Sequence, residues 1–272
     1  MLLAMRIGGT FGSAVLIMTM LSTAPATAAT QPEVAARAAY VVDSARTVHY
    51  SKRATRRAPV ASLVKIMTAY VVLREARLSD VVTIKKADVR HAIVNGATSA
   101  SLVKGERRTV EDLLHGLMLP SGADASNALA RAYGPGRSAF VAKMNAAAKR
   151  LGMADTFYTN ADGLPSRAYS TAADQATLTM AALANPTFRA IVSRRTYKIP
   201  GHTWRNSNLL LGSEGVIGVK TGFTTAAGFC LAFAADRGGR RIVGVLLGDQ
   251  DQRRFRTAGE LLDYAESRIT GS

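Results

Sequence analysis

The chain has 272 residues, 48% of them hydrophobic and 20% charged, and its 35 Lys and Arg against 19 Asp and Glu give a formal net charge of +16. A single Cys, Cys230, excludes an internal disulfide framework, and no repeat or low-complexity linker interrupts the sequence. Beyond the N-terminal segment no run is apolar enough to span a membrane.

Met1–Arg6 carries one positive charge, Ile7–Leu21 is apolar apart from Gly, Ser and Thr, and Ala24-Pro25-Ala26-Thr27-Ala28 supplies small residues. That order predicts a secretory signal peptide over residues 1–28, with a retained membrane anchor as the competing reading. No Cys lies near the cleavage point, which excludes a lipoprotein anchor. Removing residues 1–28 takes away only Arg6 and leaves 34 basic against 19 acidic residues, or +15. A basic surface of that size favours polyanionic surroundings. Export argues against nucleic acid and for anionic cell-wall polymers; a solvated basic surface with no dedicated partner fits equally well. The remaining 244 or so residues suffice for one or two packed layers with a full core.

Ala38–Val42 and Thr47–Ser51 read as two strands around an Asp43-Ser44-Ala45-Arg46 turn. After the basic loop Lys52–Arg57 and Pro59, apolar residues at Leu63, Ile66, Met67, Tyr70, Val71 and Leu73 predict a helix from Ser62 to Ala76. Further helices are predicted over Val110–Met118, Ala123–Tyr133, Ser138–Leu151 and Ala172–Ala184. After Pro200 the pattern changes to strands over Gly215–Thr221, Gly228–Ala235 and Arg241–Leu247, with Asp236-Arg237-Gly238-Gly239 as a hairpin turn. An amphipathic helix over Arg253–Ile269 closes the chain. A hairpin at one end and three strands at the other, with helices between, predict an α+β fold. Its antiparallel sheet is built from both chain ends and covered by helices. Cys230, in the apolar run Gly228–Phe233, reads as a small core residue.

Ser62-Leu63-Val64-Lys65 offers a nucleophile and a base three residues apart, on one helix face. A Lys works as a base there only if burial or a nearby cation lowers its pKa. The same tetrapeptide recurs at Ser101-Leu102-Val103-Lys104, which runs into Gly105-Glu106-Arg107-Arg108 rather than opening a helix. Ser101 is therefore read as a decoy in a strand or loop. Lys220-Thr221-Gly222 lies on a predicted strand whose alternation sends Lys220 and Gly222 to one face. Gly222 there marks close approach by a ligand or another backbone. Ser121, in Pro120-Ser121-Gly122-Ala123-Asp124, stands at a helix start, where Ser is more often a cap than a catalyst.

In this order, S-x-x-K, a Ser-containing turn and K-T-G form the motif set of penicillin-binding proteins and serine β-lactamases. The segments Pro59–Thr68, Asp112–Gly122, Asn160-Ala161-Asp162-Gly163-Leu164 and Gly218–Thr224 extend the match. From about Ala38 to Tyr264 the chain resembles the serine-type D-alanyl-D-alanine carboxypeptidases, the low-molecular-mass penicillin-binding proteins. The resemblance implies the serine DD-peptidase/β-lactamase-like fold, with a helical subdomain. It also implies removal of the terminal D-Ala from peptidoglycan stem peptides through a Ser62 acyl-enzyme, with inhibition by β-lactams. Lys65 would take the Ser62 proton, and Ser121 would relay a proton to the leaving group near Lys220. The backbone N–H groups of Ser62 and Phe223 would form the oxyanion hole. Thr221 and Thr224, with Arg205 as a weaker candidate, would hold the substrate carboxylate beside Gly222.

Two departures qualify the match. The family's second motif usually reads Ser-x-Asn, whereas the third position here is Ala123, which implies weakened or altered activity, or a non-catalytic wall-binding homologue. Many relatives also carry a β-rich domain and a C-terminal amphipathic anchor; this chain stops at Ser272. One catalytic domain over residues 29–272 is therefore expected, soluble in the wall or periplasmic space of a bacterium. A β-lactamase is the nearest rival, but no Glu lies between Asp112 and Ser213 to activate a deacylating water. A transpeptidase or endopeptidase remains an alternative. His49, His91, His115 and His202 show no ligand spacing, and His115 reads as a packed or surface residue. No metal or cofactor is expected.

Overall fold

The structure, a computed structural model, describes residues 30–165 and 167–271. The predicted signal peptide lies outside the described residues. In chain order the elements are β1 (Ala38–Asp43), β2 (Val48–Lys52), a 3-10 turn (Ala61–Leu63) and α1 (Val64–Glu75). Then come β3 (Val81–Thr83), α2 (Lys86–Val94), β4 (Arg107–Thr109), α3 (Val110–Met118), α4 (Ala123–Tyr133) and α5 (Arg137–Arg150). They are followed by α6 (Ala172–Leu183), α7 (Pro186–Val192), β5 (Thr196–Ile199) and β6 (His202–Arg205). The chain ends with β7 (Val216–Thr224), β8 (Gly228–Arg237), β9 (Arg240–Asp249) and α8 (Arg253–Thr270).

Local chemistry sets the boundaries. At the first turn the Asp43 carboxylate accepts the main-chain N–H groups of Ala45 and Thr47, both at 2.9 Å. At the start of α3 the Thr109 hydroxyl accepts the Asp112 N–H, and the Asp112 carboxylate accepts the Thr109 N–H, a reciprocal cap.

The main sheet has five antiparallel strands in the order β2-β1-β9-β8-β7, so both chain ends do build it. Ala38 pairs with Leu247 and Asp43 with Ile242. The central strands are buried on both faces, which is why they read as unbroken apolar runs. Alternation sends Leu231, Phe233 and Leu246 to one face, where they meet Phe255, Ala258, Leu261, Leu262 and Ala265 of α8. Those five recur at three- and four-residue spacing, and each of the large ones contributes about 2 kcal/mol on burial. Ala232, Ala234, Val243 and Val245 face the other way, into the larger core with α1, α3 and α6. Cys230 is fully buried in that core, as expected of a small hydrophobe.

The sheet β3–β4, the helix α2 and the hairpin β5–β6 were not anticipated from sequence. The hairpin lies over the helical layer through Trp204, whose indole N–H donates to the Ala100 carbonyl at 2.8 Å. His115 is buried and stacks on Tyr197 with ring centroids 3.6 Å apart, so it is a packed residue. No helix among the described residues is long and apolar enough to cross a membrane.

Candidate active site

Ser62 sits in the 3-10 turn that feeds α1, after Ala61, which holds a positive φ of 48°. The i to i+3 step carries Lys65 under it, and the Lys65 amine donates to the Ser62 hydroxyl at 3.0 Å. Lys65 is 2% exposed and also donates to the Asp162 carbonyl at 2.6 Å. Burial lowers its pKa from the usual 10.5 to about 8, against an opposing pull from the Asp162 and Asp124 carboxylates. At that value roughly a tenth of the molecules carry the neutral amine at pH 7.

The Asn160–Leu164 loop is the bracket for this lysine. Its Ala161 carbonyl accepts the hydroxyls of Thr68 on α1 and Ser126 on α4, each at 2.6 Å. The Asp162 carboxylate accepts from the Asn127 amide at 3.1 Å and lies 2.9 Å from His91 Nε2 in an ion contact without hydrogen-bond alignment. Burial would raise the Asp162 carboxyl, but the His91 contact and the Lys65 charge hold it below its usual range. Gly163, at φ 96°, passes so close to the Ala61 carbonyl that any Cβ would collide with it.

Ser121 precedes α4 with a positive φ of 69°, unusual for a residue with a Cβ. Its hydroxyl is buried and has no hydrogen-bond partner among the described residues. A strained residue with an unmatched donor is the kind of feature functional sites retain. Ala123 is fully buried and its N–H donates to the Thr98 carbonyl at 2.8 Å. Asn127 is committed to Ala123 and Asp162 and does not stand in for the missing motif amide. The Asp124 carboxylate organises the opposite wall, accepting the N–H groups of Ala100 and Leu102 and the Ser99 hydroxyl. The repeated tetrapeptide belongs to that wall: Ser101 is exposed in a loop and opens no helix.

β7 is an edge strand, so one of its sides is open to an added strand. A Cβ on Gly222 would lie 3.1 Å from the Ser62 nitrogen and 3.3 Å from the Ala61 Cβ. The other backbone that Gly222 admits is therefore the nucleophile turn. Lys220, on the same strand face, is 1% exposed and donates to the Thr221 carbonyl at 3.0 Å. Burial, with the Lys65 and Arg254 charges added, pushes the Lys220 amine well below its ordinary pKa. Thr221 shares a 2.6 Å hydrogen bond with Ser207.

Ser62, Lys65, Ser121, Thr221, Gly222 and Phe223 line one cleft of about 260 Å³. Among the described residues it carries no acidic side chain and no side-chain amide. Two predicted contacts lie elsewhere. Thr224 closes the turn into β8, where its hydroxyl accepts the Ala227 N–H at 3.0 Å. The structure does not bring Arg205 to the cleft: alternation on β6 buries Trp204 and sends Arg205 to the outer face, into a separate hollow. The guanidinium that does line the cleft, beside the Lys65 amine, is that of Arg254 at the start of α8, which also donates to the Asp251 carboxylate at 2.8 Å. Its guanidinium packs on the Phe229 ring at 4.7 Å, and Phe229 packs on Phe223 at 4.4 Å. Sequence reasoning missed Arg254, Ser207 and Thr98, which belong to none of the three motifs.

Comparisons with known proteins show the family and the fold. The chain is 41% identical over 248 residues to the D-alanyl-D-alanine carboxypeptidase of Streptomyces sp. strain K15, covering 84% of this chain and 85% of that one. It is 36% identical over 218 residues to the D-alanyl-D-alanine carboxypeptidase DacD of Salmonella typhimurium, covering 76% of this chain but only 56% of that longer relative. The crystal structure of the Streptomyces K15 DD-transpeptidase superposes with a TM-score of 0.84 at 38% identity, covering 87% of this chain and 98% of that chain. Residues 25–251 match the D-alanyl-D-alanine carboxypeptidase family, peptidase S11, and the chain belongs to that family.

Proposed function

We propose that this protein is a serine D-Ala-D-Ala carboxypeptidase that removes the terminal D-Ala from peptidoglycan stem peptides outside the cytoplasm. The observation that carries the reading is the buried Lys65 amine, lowered to about 8 and 3.0 Å from the Ser62 hydroxyl. The neutral amine takes the Ser62 proton as Oγ attacks the carbonyl of the penultimate D-Ala. The oxyanion that forms is held by the N–H groups of Ser62 and Phe223. As the C–N bond breaks, the Ser121 hydroxyl passes a proton to the departing amine and is resupplied from the Lys65–Lys220 pair. Water then cleaves the Ser62 ester by the reverse proton path.

The substrate lies antiparallel to the open side of β7, so main-chain groups bind its peptide bond where relatives use a motif amide. Arg254 and Thr221 receive its terminal carboxylate. The same seat admits β-lactams, and the lack of an acid in the cleft supports a long-lived drug adduct. The +16 charge supports residence among anionic cell-wall polymers.

A second reading keeps the chemistry and changes the acceptor. The Streptomyces K15 neighbour is a DD-transpeptidase, and on this reading an amine replaces water in the second step. Intact mass after brief exposure to benzylpenicillin tests the shared first step. A persistent adduct on the unchanged chain and none on Ser62→Ala is expected, with D-Ala release from a stem peptide lost in the same variant. Unmodified protein with intact drug would sink the proposal, and hydrolysed drug would indicate a β-lactamase instead.

A further inference from the structure

Outside the cleft, three cations without an ion pair among the described residues line a hollow on the β5–β6 hairpin. Strand alternation turns the partly buried Tyr197 and the buried Trp204 to one face and Thr196, Lys198, Thr203 and Arg205 to the other. The pairing sets Thr196 opposite Arg205 and Lys198 opposite Thr203, so these four side chains form one polar floor. Arg195 and the Asn206–Leu211 segment supply the wall of a hollow of about 630 Å³.

Three cations, Arg195, Lys198 and Arg205, line this hollow, and among the described residues no acid lines it or pairs with them. The Arg195 guanidinium lies over Gly212, in the space that a Cβ there would fill. Cations gathered this way repel one another unless an anion joins them. A second observation is independent of charge. Asn208 also lines the hollow, is 3% exposed, and has its Oδ1 committed to the Leu210 N–H at 3.1 Å. That bond fixes the orientation of the amide, and its Nδ2 is left buried with no acceptor among the described residues. A buried donor without a partner costs free energy that a bound acceptor would recover.

We infer that this hollow is an accessory anion site, and that it takes a phosphate group held by Arg195, Lys198 and Arg205 with the Asn208 amide as a neutral donor. The Thr196 and Thr203 hydroxyls add donors on the floor. Three cations suit a phosphate better than a singly charged carboxylate, and guanidinium groups match its oxygens in pairs. The hollow adjoins the cleft through a single residue: Asn206 and Asn208 line the hollow, whereas Ser207 between them lines the cleft and bonds Thr221. A phosphodiester polymer seated here would hold the enzyme with its cleft beside that polymer.

The test is a titration of the nitrogen-15-labelled chain by heteronuclear NMR at constant ionic strength. The probes are inorganic phosphate and a short oligomer of glycerol phosphate, with acetate as the carboxylate comparison. Saturable shifts at the Asn208 side-chain amide and the β5–β6 amides are expected with both phosphates, and at least tenfold weaker binding with acetate. Lys198→Gln combined with Arg205→Gln should weaken phosphate binding by about tenfold or more, while Arg150→Gln combined with Arg189→Gln should leave it unchanged. Tighter binding by the oligomer would assign the source as a polymer, and equal binding per phosphate would assign free phosphate. Shifts spread over the basic surface, or unchanged affinity in the Lys198/Arg205 variant, would overturn the site. The readout is independent of D-Ala release, so failure of the proposed enzymatic activity would leave it standing.

Discussion

The amine of Lys65 approaches the main-chain carbonyl of Asp162 more closely than it approaches the hydroxyl of Ser62, 2.6 Å against 3.0 Å. The lysine is thus anchored by a loop almost a hundred residues away, and its contact with the nucleophile is the looser of the two. A base that must gain and lose a proton needs a fixed position more than a tight grip on its substrate.

The rate of Ser62 acylation should follow the neutral fraction of Lys65. It should rise about tenfold per pH unit below pH 7 and level off above about 8. Stopped-flow acylation by a chromogenic cephalosporin across pH 5.5–9.5 measures this; a flat profile would remove Lys65 from the role of base.

Burying this lysine costs stability. Its folded pKa lies below the unfolded value of 10.5, so the unfolded chain binds more protons and stability rises with pH between about 8 and 10.5. The difference corresponds to about 3 kcal/mol at neutral pH. Lys65→Met removes that cost and loses hydrogen bonds worth about 1 kcal/mol each. The expected variant is inactive and about 1 kcal/mol more stable in urea unfolding at pH 7, with the advantage vanishing near pH 9 and reversed by about 1 kcal/mol at pH 10.

Gly222→Ala should act on the nucleophile rather than on the sheet. The added methyl meets the Ser62 nitrogen at 3.1 Å and the Ala61 Cβ at 3.3 Å, so the turn must move by a few tenths of an ångström. A cost of about 1 kcal/mol in stability is expected, with a loss of about a hundredfold in acylation rate from misplacement. An unchanged rate would show that the turn yields freely.

Arg254→Leu distinguishes carboxylate recognition from packing. Charge-assisted hydrogen bonds of this kind are worth about 1.5–3 kcal/mol, or roughly ten- to a hundredfold in kcat/KM. The loss should fall on peptides ending in a free D-Ala carboxylate and spare the C-terminal amide. Equal losses on both substrates would assign Arg254 to a structural role, packed on Phe229 and Phe255 and paired with Asp251.

Ser62, Lys65, Ser121 and Lys220 were legible because each lies in a short motif, and α3, α4 and α8 because their apolar faces recur with helical period, whereas α1 is buried at eight of its twelve positions and has no single apolar face. The duplicate at Ser101 was separable by context, since no amphipathic helix follows it. Arg254 was hidden because its place depends on the sheet. Phe223 pairs with Phe229, and Phe229 pairs with Asp249, so the β8–β9 hairpin returns the start of α8 to the end of β7. That relation is long-range and leaves no local pattern. Arg205 misled for the converse reason: its chain position suits the cleft, but β5–β6 consists of two four-residue strands that carry one Lys or Arg each, too short to register as a hairpin. The pair β3–β4 escaped on the same ground, at three residues each.

The pairing of β1 with β9 has a consequence for when the enzyme can exist at all. Ala38 must wait for Leu247 before the sheet can close, and loops of that span are slow to form. Lys220 and Arg254 also arrive late in the chain. A molecule emerging N-terminus first therefore carries its serine long before it carries a working cleft, and activity switches on only as the final strand and helix dock.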